Sequence, residues 1–142
     1  MLHAGEVDPA DGVPRLVGAE ASGTGKDGRP VLVGSHCRAC DQEMVPPVDV
    51  CPVCGGEELD QRDQPREGTL YSYTVLHVGA AKWRRPLIVG YVDLANGVRV
   101  FAHLEGEGVT IGEAVELDMA TVGKDPDGTS LASYVFRMKG AI

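Results

Sequence analysis

Hydrophobic and polar residues alternate in five segments of the second half of the chain, as they do in β-strands with one buried face. Asn96-Gly97, between the second and third segments, is a strong signal for a two-residue β-hairpin turn. No stretch has the period of about 3.6 residues that an amphipathic helix requires. The pattern therefore predicts antiparallel strands at residues 69–78, 87–94, 98–104, 112–122 and 131–138.

A sheet of five short strands exposes unpaired edges unless it closes on itself. Closure into a small barrel removes those edges, and an OB-type barrel is the architecture that the strand count favours. Half of a β-sandwich and an SH3-like barrel are the alternatives. We therefore predict an all-β protein whose five-stranded OB-fold barrel occupies residues 66–142.

The first predicted strand carries several aromatic residues. Strict alternation places Tyr71, Tyr73 and His77 on one face. The opposite face then contains Leu70, Ser72, Thr74 and Leu76. Together with Tyr91 in the second strand, these tyrosines are predicted to be core or interface residues.

All four cysteines of the chain lie before the barrel, in two Cys-x-x-Cys pairs: Cys37 with Cys40, and Cys51 with Cys54. A two-residue gap lets one tight turn direct both sulfurs at a common point, and two such turns form a tetrahedral thiolate site for zinc. Asp41 and Gly55 follow the pairs, where positive φ turns backbone N–H groups toward the sulfurs. Residues 31–65 are therefore predicted to be a zinc ribbon.

Two disulfides or a thioredoxin-like redox pair are the alternatives for these cysteines. The sequence begins without a charged and apolar leader, so disulfides are not expected. Two facing pairs without a βαβ pattern argue against a redox motif. Four sulfur ligands leave no open coordination position, so the metal is expected to stabilise the fold without taking part in catalysis.

Residues 1–30 are rich in glycine, aspartate, alanine and proline and have no sustained apolar period. They are predicted to form a flexible N-terminal arm in which Leu16 and Val17 are available for docking. At the other end, Ala141-Ile142 provides a short apolar tail with the same predicted use.

The chain is acidic, with a formal net charge of −8. This charge is unfavourable for binding a nucleic-acid backbone. No apolar run is long enough to cross a bilayer. We therefore expect a cytoplasmic protein that binds neither nucleic acid nor membrane.

The chain resembles the acyl-CoA-associated proteins, in which a rubredoxin-like zinc ribbon is joined to a C-terminal OB-fold. The resemblance covers residues 32–139 and depends mainly on the cysteines together with Gly68-Thr-Leu-Tyr-Ser-Tyr-Thr-Val-Leu-His77. It extends to Pro46-Pro47, Asn96-Gly-Val-Arg-Val100 and Ile111-Gly112. Family members often have an amphipathic helix before the ribbon, which Gly23–Pro30 cannot form here.

The resemblance implies an accessory subunit without catalytic residues of its own. Its partner is then a thiolase-superfamily enzyme, namely an acyl-CoA thiolase, an acyl-CoA synthase or a retro-aldolase, and the partner supplies the catalytic cysteine and histidine. A hetero-oligomer built on the dimer of that thiolase-fold subunit is implied, with a coenzyme A ester at the interface.

Three cations and the only tryptophan of this acidic chain share four consecutive residues of a predicted barrel loop: Lys82, Trp83, Arg84 and Arg85. We predict that they bind a phosphate of acyl-CoA or an acidic rim of the partner, because arginine is suited to bidentate phosphate contacts. A solvated run of charges is the alternative.

His77 and His103 lie in strand patterns, without a serine or an unpaired cysteine placed as a nucleophile. Histidines satisfied by hydrogen bonds within a sheet are the simpler interpretation. An alternative function is single-stranded nucleic-acid binding, since tyrosine-rich OB-folds stack bases. A free-standing enzyme is the third possibility.

Overall fold

The computed structural model describes residues 15–139, and its regular elements there are β-strands and one 3₁₀ turn at Ala19–Ala21. This confirms the all-β class. Within the described range, no helix is long and apolar enough to span a membrane. The strands are β1 (Arg15–Leu16), β2 (Ser22–Thr24), β3 (Pro30–Cys37), β4 (Glu43–Met44), β5 (Leu59–Asp63), β6 (Glu67–Leu76), β7 (Leu87–Leu94), β8 (Arg99–Glu105), β9 (Ala114–Lys124) and β10 (Ser130–Met138).

Residues 15–30 are paired with the rest of the molecule, so the predicted flexible arm is wrong for this part. β1 runs parallel to β10, and β2 runs antiparallel to β3. Ala21 is buried in the barrel core, and Val17 packs against a second apolar cluster of β9 and β10. The predictions for residues 1–14 and for Ala141-Ile142 lie outside the described residues.

The ribbon is built on β3, which pairs antiparallel with both β4 and β5. β3 runs from Pro30 to the first cysteine, Cys37. The hydroxyl of Ser35 accepts a hydrogen bond from the Val48 N–H at 2.9 Å and donates one to the Val48 carbonyl at 3.3 Å. These bonds fasten the proline-containing segment between the two cysteine pairs to the central strand.

β6 to β10 close into the predicted five-stranded OB-type barrel. β7 pairs antiparallel with β6 and with β8, and β9 pairs antiparallel with β6 and with β10. A short parallel pairing of β10 with β8 completes the ring. Each barrel strand therefore has a neighbour on both sides, although β6 meets β9 only at residues 67–69 and β8 meets β10 only at residues 103–105.

The barrel core extends into the ribbon through β3. Phe136 is the largest fully buried side chain, and Leu32 of β3 is also fully buried in the same core cluster. The barrel residues of this cluster come from all five barrel strands. β3 therefore belongs to both regions, with its first half packed on the barrel and its last residue in the cysteine site.

Gln64, which is buried, connects the two regions through hydrogen bonds. Its side-chain amide donates to the Glu43 carboxylate at 3.4 Å, and its carbonyl oxygen accepts from the Asn96 amide at 3.0 Å. Glu43 lies on β4, and Asn96 lies in the turn between β7 and β8. The polar side chain thus joins the ribbon to the predicted hairpin turn.

A β-bulge at Tyr71 changes the faces that strict alternation predicts for β6. Leu70 pairs with Val92, but the next pair is Ser72 with Tyr91. The extra residue makes Tyr71 and Ser72 both lie opposite Tyr91. The tyrosines of β6 and β7 are 39–50% exposed, so the prediction that they belong to the core is wrong. Their role at an interface remains a prediction.

Candidate metal centre and barrel loop

The first cysteine pair lies in a turn at the end of β3. The Asp41 N–H donates to the Cys37 carbonyl at 2.8 Å, and the Cys37 N–H donates to the Gln42 carbonyl at 2.8 Å. Asp41 has a φ of 64°, the left-handed conformation that Asp tolerates better than most residues. This conformation confirms the positive φ that is predicted for the residue after the first cysteine pair.

The second pair lies in a turn with the same hydrogen bonds. The Gly55 N–H donates to the Cys51 carbonyl at 2.9 Å, and the Cys51 N–H donates to the Gly56 carbonyl at 2.8 Å. Gly55 has a φ of 75° and thus occupies the position equivalent to Asp41. The two turns therefore present their sulfurs in the same way.

The four sulfurs form one cluster. All Sγ atoms lie within 4.8 Å of one another. The Cys37 and Cys54 sulfurs are 3.6 Å apart, and those of Cys40 and Cys51 are 3.7 Å apart. A tetrahedral site with Zn–S bonds of ~2.3 Å has sulfurs about 3.8 Å apart. The donor set and its spacing therefore fit zinc with four thiolate ligands and no open position.

Backbone N–H groups stabilise the thiolate form of the cluster. Hydrogen bonds from the N–H groups of Cys54 and Val53 lower the pKa of Cys51 to about 7. The Gln42 N–H acts in the same direction on Cys40, but burial and the neighbouring thiols outweigh it and raise the pKa of Cys40 to about 12. Four crowded thiols therefore ionise together only when a cation compensates their charge.

His36 is a neighbour of this cluster. Its Nε2 is hydrogen-bonded to the Asp41 carboxylate, and this bond lowers the pKa of Asp41. An ion pair of Arg38 with Asp60 also links the first cysteine turn to β5, with a separation of 2.6 Å. Both pairs hold the turn in position on the ribbon.

The predicted loop of Lys82–Arg85 lies between β6 and β7 and is anchored to β9 by its backbone. The Arg84 N–H donates to the Val122 carbonyl at 2.8 Å, and the Lys124 N–H donates to the Lys82 carbonyl at 2.7 Å. Gly123 permits this approach, because a Cβ there would lie 1.9 Å from the Lys82 carbonyl oxygen. The loop therefore has a defined conformation.

The side chains of the loop have different partners. Arg84 forms an ion pair with Glu105 at 2.6 Å, and Arg85 donates to the Gly79 carbonyl at 2.8 Å. The Lys82 ammonium lies 4.9 Å from the centre of the Trp83 ring, a cation–π contact. Arg84 is thus paired with a carboxylate, whereas the partners of Lys82 and Arg85 among the described residues are a ring and a carbonyl.

Three clefts adjoin this loop. The first, of about 340 Å³, is lined by Lys82 and Trp83 together with Lys124 of β9. The second, of about 350 Å³, is lined by Arg84, His103 and Glu105 among others. The third, of about 210 Å³, is lined by Arg84 and Arg85 among others. The structure thus brings the predicted loop residues together on the barrel and adds Lys124, which sequence spacing alone did not connect with them.

His103 differs from the satisfied sheet histidine that the sequence suggests. Its Nδ1 is buried without a hydrogen-bond partner in the described range, and its ring lies 5.6 Å from that of Trp83. Burial and the nearby Arg84 guanidinium lower the pKa of His103 and so favour its neutral form. His77 lies exposed just beyond β6 and lines none of these clefts.

These observations define a rubredoxin-like zinc ribbon joined to an OB-fold barrel. Two family descriptions match the chain in that order: "ChsH2, rubredoxin-like zinc ribbon domain" over residues 27–60 and "ChsH2, C-terminal OB-fold domain" over residues 61–120. The chain belongs to the ChsH2 family. This confirms the resemblance, whereas the predicted division between residues 65 and 66 remains a prediction.

Several known proteins are similar to the chain over most of its length. The benzoylsuccinyl-CoA thiolase subunit BbsA of Thauera aromatica is 40% identical over 78% of this chain and 79% of its own length. BbsA of Geobacter metallireducens is 35% identical over 78% of this chain and 76% of its own length. A chain of the solved Ltp2–ChsH2(DUF35) aldolase is 32% identical, covers 76% of this chain and 84% of its own, and superposes with a TM-score of 0.62.

Proposed function

We propose that this chain is a zinc-containing accessory subunit of a thiolase-superfamily enzyme that acts on an acyl-CoA ester. The observation that carries the proposal is its similarity to thiolase subunits over more than three quarters of both chains. The chemistry of the chain supports it. All four cysteines lie in one cluster, so no thiol is left as the nucleophile that thiolase chemistry uses.

Zinc has a structural role in this proposal. Cys37, Cys40, Cys51 and Cys54 hold the ion, and their four sulfurs leave no position for substrate or water. The ion compensates the thiolate charge and fixes two turns that few buried side chains support. We propose the cytoplasm as the location of the protein, because its reducing conditions keep zinc-binding thiols from forming disulfides.

The partner is a thiolase-fold catalytic subunit, and the complex is built on the dimer of that subunit. The partner supplies the catalytic cysteine and histidine. The barrel contributes the loop of Lys82, Trp83, Arg84 and Arg85 to the binding of the CoA portion of the substrate. Its contribution to catalysis is therefore to bind and orient the thioester at the subunit interface.

The contacts of the loop assign different roles to its cations. Arg84 is paired with Glu105 and positions the loop. Lys82 and Arg85 have no carboxylate within ion-pair distance in the described range, and they meet the phosphates of CoA. Lys124 lines the cleft beside Lys82 and adds a further positive charge at the same place.

Co-expression with each thiolase-superfamily protein of the source genome tests the proposal. The chain should co-purify with one of them in a fixed stoichiometry. Purified alone, it should not turn over 3-oxoacyl-CoA or 3-hydroxyacyl-CoA esters. Turnover by the isolated chain at an enzyme-like rate, or failure to form a complex with any of these proteins, contradicts the proposal.

A further inference from the structure

Exposed apolar side chains are concentrated on one part of the barrel. Eleven large apolar side chains in the described range are exposed, and six of them lie on β6, β7 and β8. Clusters of this kind on a protein surface indicate an interaction site more strongly than single exposed residues do. The six residues are Tyr71, Tyr73, Val75, Leu76, Tyr91 and Phe101.

The strand register places aromatic residues of this group next to one another on the outside of the barrel. Tyr91 pairs with Phe101, and Asp93 pairs with Arg99 on the next outward position of β7 and β8. The intervening residues of both strands belong to the barrel core. The bulge in β6 adds Tyr71 to the same side. We call these five residues the outer aromatic face.

Contacts within the outer aromatic face hold its side chains in place. The Arg99 guanidinium lies 3.5 Å from the centre of the Tyr71 ring and donates two hydrogen bonds to Asp93, at 2.6 and 3.1 Å. The rings of Tyr91 and Phe101 meet edge to face, with centroids 5.3 Å apart. Side chains ordered in this way lose little further entropy when a partner binds. Tyrosine and arginine are also the residues enriched at protein interfaces.

The charge of this face favours a protein ligand over a nucleic acid. OB-folds do bind single strands across the corresponding face, by stacking bases on aromatic side chains. Such binding needs cations for the phosphates. Here the charge of Arg99 is compensated by Asp93, and the chain as a whole has a net charge of −8. A neutral, aromatic surface instead suits burial against another protein.

The position of the face indicates which protein covers it. The exposed part of β6 extends from Tyr71 to its last residue, Leu76, and the chain then leads into the cationic loop. Leu76 and Val78 line a cleft of about 210 Å³ together with Arg84 and Arg85. The apolar surface and the proposed CoA-binding loop are therefore continuous. A subunit that presents CoA to this loop also lies against the adjoining strands.

We propose that the outer aromatic face is the surface on which the thiolase-fold catalytic subunit docks. The inference depends on the proposed function and specifies where the partner binds. Tyr91 and Phe101 form the centre of the contact, and the Arg99–Asp93 pair lies at its edge. Both aromatic rings become buried on assembly.

The test compares the Tyr91→Ser/Phe101→Ser double variant with the wild type in binding to the catalytic subunit. Loss of two central aromatic side chains should weaken association at least about 30-fold, as truncation of interface hot spots does. Val53→Ser is the matched control, because Val53 is 65% exposed in the second cysteine turn of the ribbon and lies outside the barrel strands. The control should bind as the wild type does, and all three proteins should have similar melting temperatures.

Other outcomes distinguish the proposals. If the wild type binds a catalytic subunit and the double variant binds it equally well, the docking surface is wrong and the proposed function stands. If the wild type binds none, both are wrong. A wild type that self-associates while the double variant stays monomeric would assign the face to a second copy. If the wild type binds a fluorescent oligothymidine and the double variant does not, the outer aromatic face would be assigned to nucleic acid. Self-association through the face and nucleic-acid binding would each overturn the inference.

Discussion

The ribbon and the barrel are ordered by different interactions. The barrel surrounds a continuous apolar core to which every one of its strands contributes. The ribbon turns carry two buried cysteines and two exposed ones, and their equivalent hydrogen bonds direct the sulfurs to one point. Order in the barrel therefore comes from burial, which is spread over many residues. In the cysteine turns we expect order to depend on the ion that the four sulfurs would hold.

The two regions share one strand, and this limits how independent they are. Leu32 packs in the barrel core, while Cys37, five residues further along β3, belongs to the metal cluster. Gln64 adds a hydrogen-bonded connection between β4 and the β7–β8 turn. We therefore expect loss of the metal to unfold the cysteine turns and to weaken the barrel without unfolding it.

The largest effect is expected from Cys51→Ser. The variant should bind no zinc, whereas the wild type should bind one ion per chain, because metal-binding energy of ~10–16 kcal/mol supports such small modules. Elemental analysis together with two-dimensional amide NMR measures both the ion and the region that loses its structure. The barrel resonances should persist.

Val53→Ser is the control for this experiment. It introduces the same hydroxyl group into the same turn, but Val53 is 65% exposed and provides no ligand. Zinc content should be unchanged in this variant. A folded ribbon in Cys51→Ser, or iron in place of zinc in the wild type, contradicts the account of the metal site.

Leu32→Ala should produce the next largest effect. A fully buried leucine truncated to alanine costs about 2–5 kcal/mol of unfolding free energy. The loss should appear in the cooperative unfolding of the barrel, followed by chemical denaturation, although Leu32 is in a ribbon strand. Leu16→Ala, at an exposed position, should cost much less. Equal costs for the two variants would show that β3 is not part of the barrel core.

The sequence predicts the ribbon and the barrel at different levels of detail. Cysteine spacing and the residues after each pair predict the ribbon turns down to the positive φ of Asp41. Alternation locates the five barrel strands, because inward and outward positions differ in polarity. Neither signal reports the bulge at Tyr71 or the pairing of residues 15–30, since both depend on neighbouring strands. The contacts of Gln64 and Arg99 are likewise products of the tertiary structure.

Changing Lys82 and Arg85 to alanine should affect ligand binding and leave both regions folded. We expect the affinity of the assembled complex for coenzyme A to fall roughly tenfold to a hundredfold, the range for charge-assisted hydrogen bonds. Calorimetric titration of the complex with coenzyme A measures this. Lys26→Ala/Arg62→Ala removes the same charge from the ribbon side and should have little effect. Equal losses of coenzyme A affinity in the two double variants would mean that the loop acts only through its long-range charge.

The smallest effect is a pH dependence within the barrel. The folded state lowers the pKa of His103 below its ordinary value of 6.5, so the unfolded chain binds more protons near that pH. Unfolding free energy should therefore fall as the pH is lowered from 7.5 through 6.5. His103→Gln should reduce this slope, whereas His77→Gln, at an exposed position, should not. Denaturant titrations at pH 7.5 and 6.0 compare them, and metal loss on acidification affects all three proteins alike.

The central claim is that this chain completes an enzyme whose catalytic residues belong to another subunit. The most direct measurement adds increasing amounts of the purified chain to a constant amount of the purified thiolase-fold subunit and records turnover of acyl-CoA esters. We predict that turnover rises and then saturates at the stoichiometry of the purified complex, with none from the chain alone. Turnover that is already complete without the chain would contradict the claim.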